Sequence, residues 1–379
     1  MKEVVITSPE EEKIKAEIEK RIDPEGQRLK RFLNMVDLSR TEGSPIKELA
    51  KRITTLPDFE EFDVVNVPEI VPAGESFDLF NFAPDHPARS KSDTYYATEE
   101  QILRPHTTIM WYYYLNLPEI REKIEKGIPI GVLSYGKVYR RDEIDRNHMN
   151  VFHQMDGLYI CKKEDKKIGL NELKEVLISI AKAIYGKDIK YRFNKDTFPY
   201  TDPSIEMEVE FEGRWVEVLG SGVVQSKVLD NLDIDSSVWN GWAFGFGLER
   251  LAILSMNLPD IRLLWSEDER VKRQLKLGNS YEEVSKYPQI TRDISFVVDV
   301  GFVPNDYFDL IRDIGGDLVE EVSLLDKYEN EEKFGKGKIS YTYRTIYRSN
   351  ERTLTTEEIN SIHDKITEET KKRFNAEIR

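Results

Sequence analysis

Residues 136–160 read GKVYRRDEIDRNHMNVFHQMDGLYI. The patterning predicts two strands, Ile130–Arg140 and Val151–Ile160, joined by a long charged loop. Side chains on a strand alternate between faces. Arg140 and Asp142 therefore share a side if the first strand runs that far, and Gln154 and Asp156 share a side on the second. A guanidinium suits a phosphate or a carbonyl, and a carboxylate with an amide suits an ammonium. Such a hairpin can hold a phosphate and an ammonium at once. A solvated hairpin whose charges do nothing is the alternative this stretch leaves open.

Residues 240–254, NGWAFGFGLERLAIL, read as a strand through Phe246 that runs straight into a helix from Leu248. Ala243, Gly245 and Gly247 are small residues at alternate positions, clearing one face for a flat ring. Arg250 falls in the first helical turn, where the macrodipole disfavours a cation. A helix N-terminus with an arginine suits an anion, and a phosphate would offset the misplaced charge. A dinucleotide fingerprint is excluded, because Gly245-x-Gly247 lacks the third glycine and the βαβ setting. Phosphate grips on two stretches and an ammonium grip on one are what activating an amino acid with ATP requires.

Between these stretches lie further candidates. Ile205–Phe211 and Arg214–Leu219 are predicted as a hairpin around Glu212-Gly213, and Glu217 stands between Val216 and Val218. A lone carboxylate in an apolar strand is costly to bury unless paired, and magnesium arriving with a nucleotide would satisfy it. In FPYTDPS, 198–204, Phe198 and Tyr200 either wall an apolar pocket or cover a core edge. His106, just before the aromatic helix Trp111–Tyr114, is either a structural histidine or a ligand contact. Upstream, Ser8, Pro9 and Glu11 open a helix over 8–21 with a capping box and an Ile14, Ile18, Ile22 stripe. Ser44–Leu56 predicts a second helix and Phe62–Val67 a strand, and Leu170–Tyr185 a helix with Leu173, Leu177 and Ile180 inward.

At 379 residues the chain suggests two or three domains. With 39% hydrophobic residues and no long apolar run, it should bury real cores and not cross a membrane. A single cysteine, Cys161, argues against a disulfide framework or a cysteine-based zinc site, and the histidines lack ligand spacing. The acidic N-terminus has no apolar core, so a cytoplasmic address is expected, although a processed organellar protein would read the same. The net charge of −15 means that any RNA partner must be met by a local basic patch.

Residues 135–157 resemble motif 2 of the class II aminoacyl-tRNA synthetases, residues 241–254 resemble motif 3, and Ser44–Pro68 is similar to a degenerate motif 1. HPARSKSDTYY, ILRPHTT, FPYTDPS, WVEVLGSG and LPDIRLLWSEDER are similar, in order, to the phenylalanyl-tRNA synthetase family in its single-chain, mitochondrial-like form. The likeness covers about Ser44 to Arg379. It implies that Arg140 and Arg250 bind the α- and γ-phosphate regions of ATP, that Phe152 stacks on adenine and that His148 meets the triphosphate. It further implies that Asp142 faces the adenine amino group, that Gly245 and Gly247 line the ATP site, and that Glu217 helps hold Mg2+. Gln154, Asp156, His106 and Thr108 would hold the ammonium and carboxylate of phenylalanine, Phe198 and Tyr200 its ring edge-to-face, and Ala243 the pocket floor. Asp156, Tyr200, Thr108 and Trp111 stand where the family commonly has glutamate, phenylalanine, serine and glutamine, which leaves discrimination against tyrosine or larger aromatics open. An apolar pocket rejects an added hydroxyl by only ~10²-fold. The family's separate editing domain has no counterpart, so no proofreading is expected.

From Tyr287 the pattern reads strand 292–299, helix 305–314, strand 318–328, strand 338–348, helix 355–374 and a short end strand, with Thr355 and Glu358 as a capping box. That is the ferredoxin-like order, and YPQITRDISFVV and YTYRTIYRSNERTLT resemble the ferredoxin-fold anticodon-binding domain. Lys336, Lys338, Arg344 and Arg348, in a stretch where Tyr341, Tyr343 and Tyr347 are interleaved, are predicted with Tyr341 and Tyr343 to meet tRNA, a solvated basic edge being the alternative.

The expectation is an α+β enzyme. It has an N-terminal helical segment over 1–43, a class II catalytic domain with an antiparallel sheet over 44–274, a linker over 275–286 and an anticodon-binding domain over 287–379. It would charge tRNA(Phe) with phenylalanine, using ATP and Mg2+, as a monomer. The rival readings are an amino-acid ligase with a non-tRNA acceptor and a non-catalytic tRNA-binding paralogue.

Overall fold

The computed structural model describes residues 2–143, 145–283 and 287–379. The end of the predicted linker, 284–286, and position 144 of the charged loop lie outside the described residues. The chain forms two compact units. The first comprises 1–140, 151–258 and 273–281, and the second 141–150, 259–272 and 282–379.

The first unit is built on strands β1 (Glu3–Val5), β2 (Asp63–Asn66), β5 (Ile130–Tyr139), β6 (Val151–Lys162), β7 (Tyr191–Phe198), β8 (Thr201–Phe211), β9 (Arg214–Val224) and β10 (Trp239–Gly247). Among the described residues they make one sheet in the order β1-β2-β5-β6-β10-β9-β8-β7, with β3 (Ile70–Pro72) and β4 (Gln101–Leu103) as a separate pair. From β5 onward every pairing is antiparallel, whereas β1 and β2 join in parallel. The predicted turn is present: Glu212 and Gly213 sit at φ +49° and +76°, the positive pair that a two-residue hairpin needs.

One face of this sheet is an apolar layer. Tyr159, Trp242, Phe244 and Phe246 stack along it, and Gly157 leaves room for the Phe244 ring. The helices Pro45–Thr54, Leu170–Tyr185 and Leu248–Met256 bury Ile46, Leu49, Ile53, Leu173, Leu177, Ile180 and Leu251.

The N-terminal segment departs from its reading. The helix Pro9–Lys20 buries Ile14 and Ile18, but Ile22 lies past its end and is exposed. Ser8 caps the helix as expected, yet the Glu11 carboxylate does not close a capping box; it accepts from the backbone N–H groups of Glu69 and Ile70 at 2.8 and 3.2 Å. A second helix, Pro24–Asn34, and strand β1 went unread, although Asp23 and Pro24 supply the same cap-then-proline signal.

The second unit carries β11 (Ile290–Asp299), β12 (Val319–Glu329), β13 (Lys338–Tyr347) and β14 (Glu377–Ile378) in the order β12-β13-β11-β14. With the helices Pro304–Gly315 and Thr356–Phe374 this is the ferredoxin-like arrangement. Tyr341, Tyr343 and Tyr347 lie in its core against Phe296 and Tyr307. The interleaved aromatics therefore cannot stack on RNA bases: alternation on β13 turns all three toward the helices. Thr355 caps its helix, while the Glu358 carboxylate turns to Arg352 instead of completing a capping box.

Candidate active site

The register of the large sheet assembles the site. Ser134, Asp156, Gly245, Gly220 and Glu206 stand directly across from one another on β5, β6, β10, β9 and β8. The neighbouring row runs Val132, Leu158, Ala243, Gly222 and Ser204. Cross-strand partners share a face, so a carboxylate, a strip of glycines and an apolar end lie side by side.

Asp156 is buried, and its donors converge from two elements. Thr107 donates to Oδ2 and Thr108 to Oδ1 at 2.9 Å, both from the turn Thr107–Ile109, while the Gln154 amide donates to Oδ2 at 2.9 Å. Burial lifts the Asp156 pKa to about 6 even though these three donors and Arg140 pull it down. The three groups that donate to it are neutral, so a substrate ammonium would be a charged partner for it. Gly245 is obligatory beside it, since a Cβ there would lie 2.5 Å from Oδ1. Thr107 was not singled out in the sequence, where the hydroxyl pair of HTT gave the available signal.

Arg140 follows β5 and is held by Nε donating to the Pro105 carbonyl at 2.8 Å and by an η nitrogen donating to Gln154 Oε1 at 3.1 Å. Its guanidinium lies 5.1 Å over the Phe152 ring. Strand β5 ends at Tyr139, so the condition under which Asp142 would share a strand face with Arg140 is not met. Asp142 and His148 belong to the second unit. There the Asp142 carbonyl accepts from Arg312 at 3.2 Å, and His148 pairs with Asp145 at 2.8 Å.

Across β10, Arg250 leaves the first turn of Leu248–Met256 and donates to the Glu217 carbonyl at 3.3 Å. Gly247 lies between the two arginines: it pairs with Gln154, and its open side faces the Phe152 ring. Glu217 is exposed rather than buried within an apolar strand. The reason is a bulge: Leu219 pairs with Met207 and Glu217 with Glu208, so Val218 is the extra residue and Glu217 turns to the face that carries Gly220. Partial desolvation of the half-covered carboxylate raises the Glu217 pKa, Arg250 lowers it, and Glu206, Asp196 and Glu208 raise it again. Among the described residues no three metal-ligating side chains converge.

The apolar end is walled by rings. Phe198 and Tyr200 stack at 6.1 Å, and Phe198 covers Gly220, where a Cβ would come within 2.8 Å of its ring. Tyr200 meets Trp111 edge-on at 6.2 Å and Phe80 at 6.1 Å. His106 is packed against Phe80 and stacked on Phe82; burial and the Arg140 guanidinium hold its pKa down to about 3, so the ring is neutral. Phe80 and Phe82 went unread, because they lie in irregular chain where no periodicity marks an inward face.

In the second unit the predicted RNA contacts divide. Tyr341 and Tyr343 are core, Arg344 is paired to Asp293 at 2.7 Å, and Arg348 to Glu320 at 2.8 Å. Lys336 is exposed and Lys338 half-buried.

Residues 33–275 match the class II core domain (F) of tRNA synthetases, and 285–379 match the ferredoxin-fold anticodon-binding domain. A "Probable phenylalanine--tRNA ligase, mitochondrial" of Drosophila melanogaster is 36% identical over 378 residues, spanning 85% of this chain and 80% of its own. The chloroplastic/mitochondrial phenylalanine–tRNA ligase of Arabidopsis thaliana is 38% identical over 332 residues, spanning 85% and 73%. The mitochondrial enzyme of Mus musculus is 34% identical over 349 residues, spanning 82% and 74%. With a glycine-floored antiparallel sheet, an arginine on either flank and both domains matched, the chain belongs to the single-chain phenylalanine–tRNA ligases, class II synthetases with a ferredoxin-fold anticodon-binding domain.

Proposed function

We propose that this chain activates phenylalanine with ATP and passes it from the adenylate to the 3′ ribose of tRNA(Phe). The observation that carries the reading is Asp156, a buried carboxylate whose hydrogen-bond donors Thr107, Thr108 and Gln154 are all neutral, set between a ring-walled apolar end and a glycine strip flanked by Arg140 and Arg250.

Asp156 and Gln154 take the ammonium, with Thr107 and Thr108 orienting the carboxylate that does so. The phenyl ring enters between Ala243 on the floor and Phe198, Tyr200 and Trp111 on the walls. Neutral His106 supports this wall and adds no charge. ATP lies along Gly245 and Gly247, with adenine on Phe152. The substrate carboxylate oxygen bonds to the α-phosphorus as the bond to pyrophosphate breaks, and Arg140 and Arg250 stabilise the charge that shifts onto the departing phosphates. Glu217, crowded by other acids, fits Mg2+ brought in by the nucleotide, and the ion would neutralise phosphate charge there. No side chain forms a covalent intermediate.

For tRNA we propose Lys336, Lys338 and the outward side of Arg344 as phosphate contacts. Base stacking moves from the buried tyrosines to Tyr328, exposed on β12. Monomeric action is the reading for assembly. The organellar names of the relatives favour an organellar-type enzyme over the cytoplasmic address read from the N-terminus. Charging of purified tRNA(Phe) with radiolabelled phenylalanine tests the whole reading. Activation without charging would support a ligase for another acceptor, and tRNA binding without activation a non-catalytic paralogue.

A further inference from the structure

His153 sits between Phe152 and Gln154 on β6, so its side chain points away from the site. It enters a buried cluster that the chemistry above does not use. Its Nδ1 lies 2.6 Å from Glu249 Oε1, and its Nε2 lies 3.2 Å from Asp37 Oδ1. His153 and Glu249 are buried, and Asp37 belongs to the N-terminal segment that the sequence left without a role.

The backbone shows what this cluster holds. The β10–β6 ladder ends at Gly247 opposite Gln154, because Leu248 begins a helix. The next β6 N–H, that of His153, would lose its partner there. The Glu249 carboxylate takes it instead, at 2.9 and 2.8 Å. Glu249 therefore fixes where the helix starts against β6, and Arg250 is the next residue. On the other side of the same strand, Phe152 and Gln154 are the two side chains against Arg140.

We infer that the Asp37–His153–Glu249 cluster positions Arg140 and Arg250 relative to one another, and that it makes the N-terminal segment part of the ATP site's scaffold. His153, Glu249 and Asp37 are positioning residues, since none faces the glycine strip. Burial alone would lower the His153 pKa, but Glu249 and Asp37 raise it to about 9. The Leu38 N–H also reaches Nε2, at 2.9 Å, a bond that only a neutral ring accepts. Two carboxylates on one buried ring favour the charged form.

The inference rests on the proposed ATP-dependent activation, and wild-type phenylalanine-dependent pyrophosphate exchange establishes that first. The test compares His153→Gln, Glu249→Gln and Asp37→Asn with wild type in pyrophosphate exchange, alongside thermal melts. Expected is a fall in kcat/KM for ATP of roughly 10- to 100-fold for the first two variants and a smaller fall for Asp37→Asn, with the KM for phenylalanine within ~3-fold. His153→Lys, which restores a cation, should recover part of the loss. Folded variants that melt lower but keep wild-type ATP constants would overturn the inference. So would equal losses toward ATP and phenylalanine. If His153→Gln does not fold, Asp37→Asn decides, because that carboxylate is partly solvated.

Discussion

At the scale of single residues, Asp156 sets the pH behaviour. Its folded pKa, about 6, lies above the ordinary 3.8, so the buried charge costs stability at neutral pH and the cost fades as pH falls through 6. Binding runs the opposite way, because only the ionised form can meet an ammonium. The kcat/KM for phenylalanine should therefore fall below about pH 6 while the protein stays folded, a profile read by pyrophosphate exchange from pH 5 to 8. Asp156→Asn should lose roughly 1.5–3 kcal/mol of amino-acid binding, about 10- to 100-fold in KM, without a lower melting temperature. A pH-independent KM in the wild type would show that this carboxylate is not the ammonium's partner. Gly245→Ala probes the same contact from the facing strand. Its Cβ would press on Asp156, and a loss of about 10-fold or more in kcat/KM for phenylalanine is expected, with a stability cost of about 1–3 kcal/mol.

At the scale of elements, the strands and the strand-to-helix junction were legible because alternation, small residues and a two-residue turn each leave a pattern. The bulge at Val218 left none. Register depends on both strands, so the apolar run around Glu217 read as a setting that would bury its carboxylate, whereas the pairing leaves it exposed. The tyrosines of β13 failed for a related reason: three aromatics on one face read equally well as core or as a stacking platform, and packing helices decide between them. Glu11 shows the same limit for caps, since the competing donors at Glu69 and Ile70 are 58 and 59 residues away. The turn gives the element-scale test. Gly213→Ala forces a Cβ into φ +76° and should cost about 1 kcal/mol by denaturant midpoint, leaving pyrophosphate exchange intact.

At the scale of the whole molecule, the proposed activation site lies in the first unit and the proposed tRNA contacts in the second, so each proposal can be tested by its own substitutions. Lys336→Ala with Lys338→Ala should raise the KM for tRNA and lower the salt slope of tRNA binding by about one unit per lysine, while phenylalanine activation is unchanged. Tyr343→Ala should instead destabilise the second unit by roughly 3–5 kcal/mol, because it empties a core position. Tyr328→Ala separates the proposed exposed stacking residue from the buried ones: a raised KM for tRNA with an unchanged melt supports it, and an unchanged KM removes it. The most direct measurement is ATP–pyrophosphate exchange by the purified chain across the twenty amino acids. The account predicts exchange that depends on phenylalanine above all others and collapses when Arg140 or Arg250 becomes alanine. Folded protein that exchanges with none of the twenty, or keeps its rate without either arginine, would contradict it.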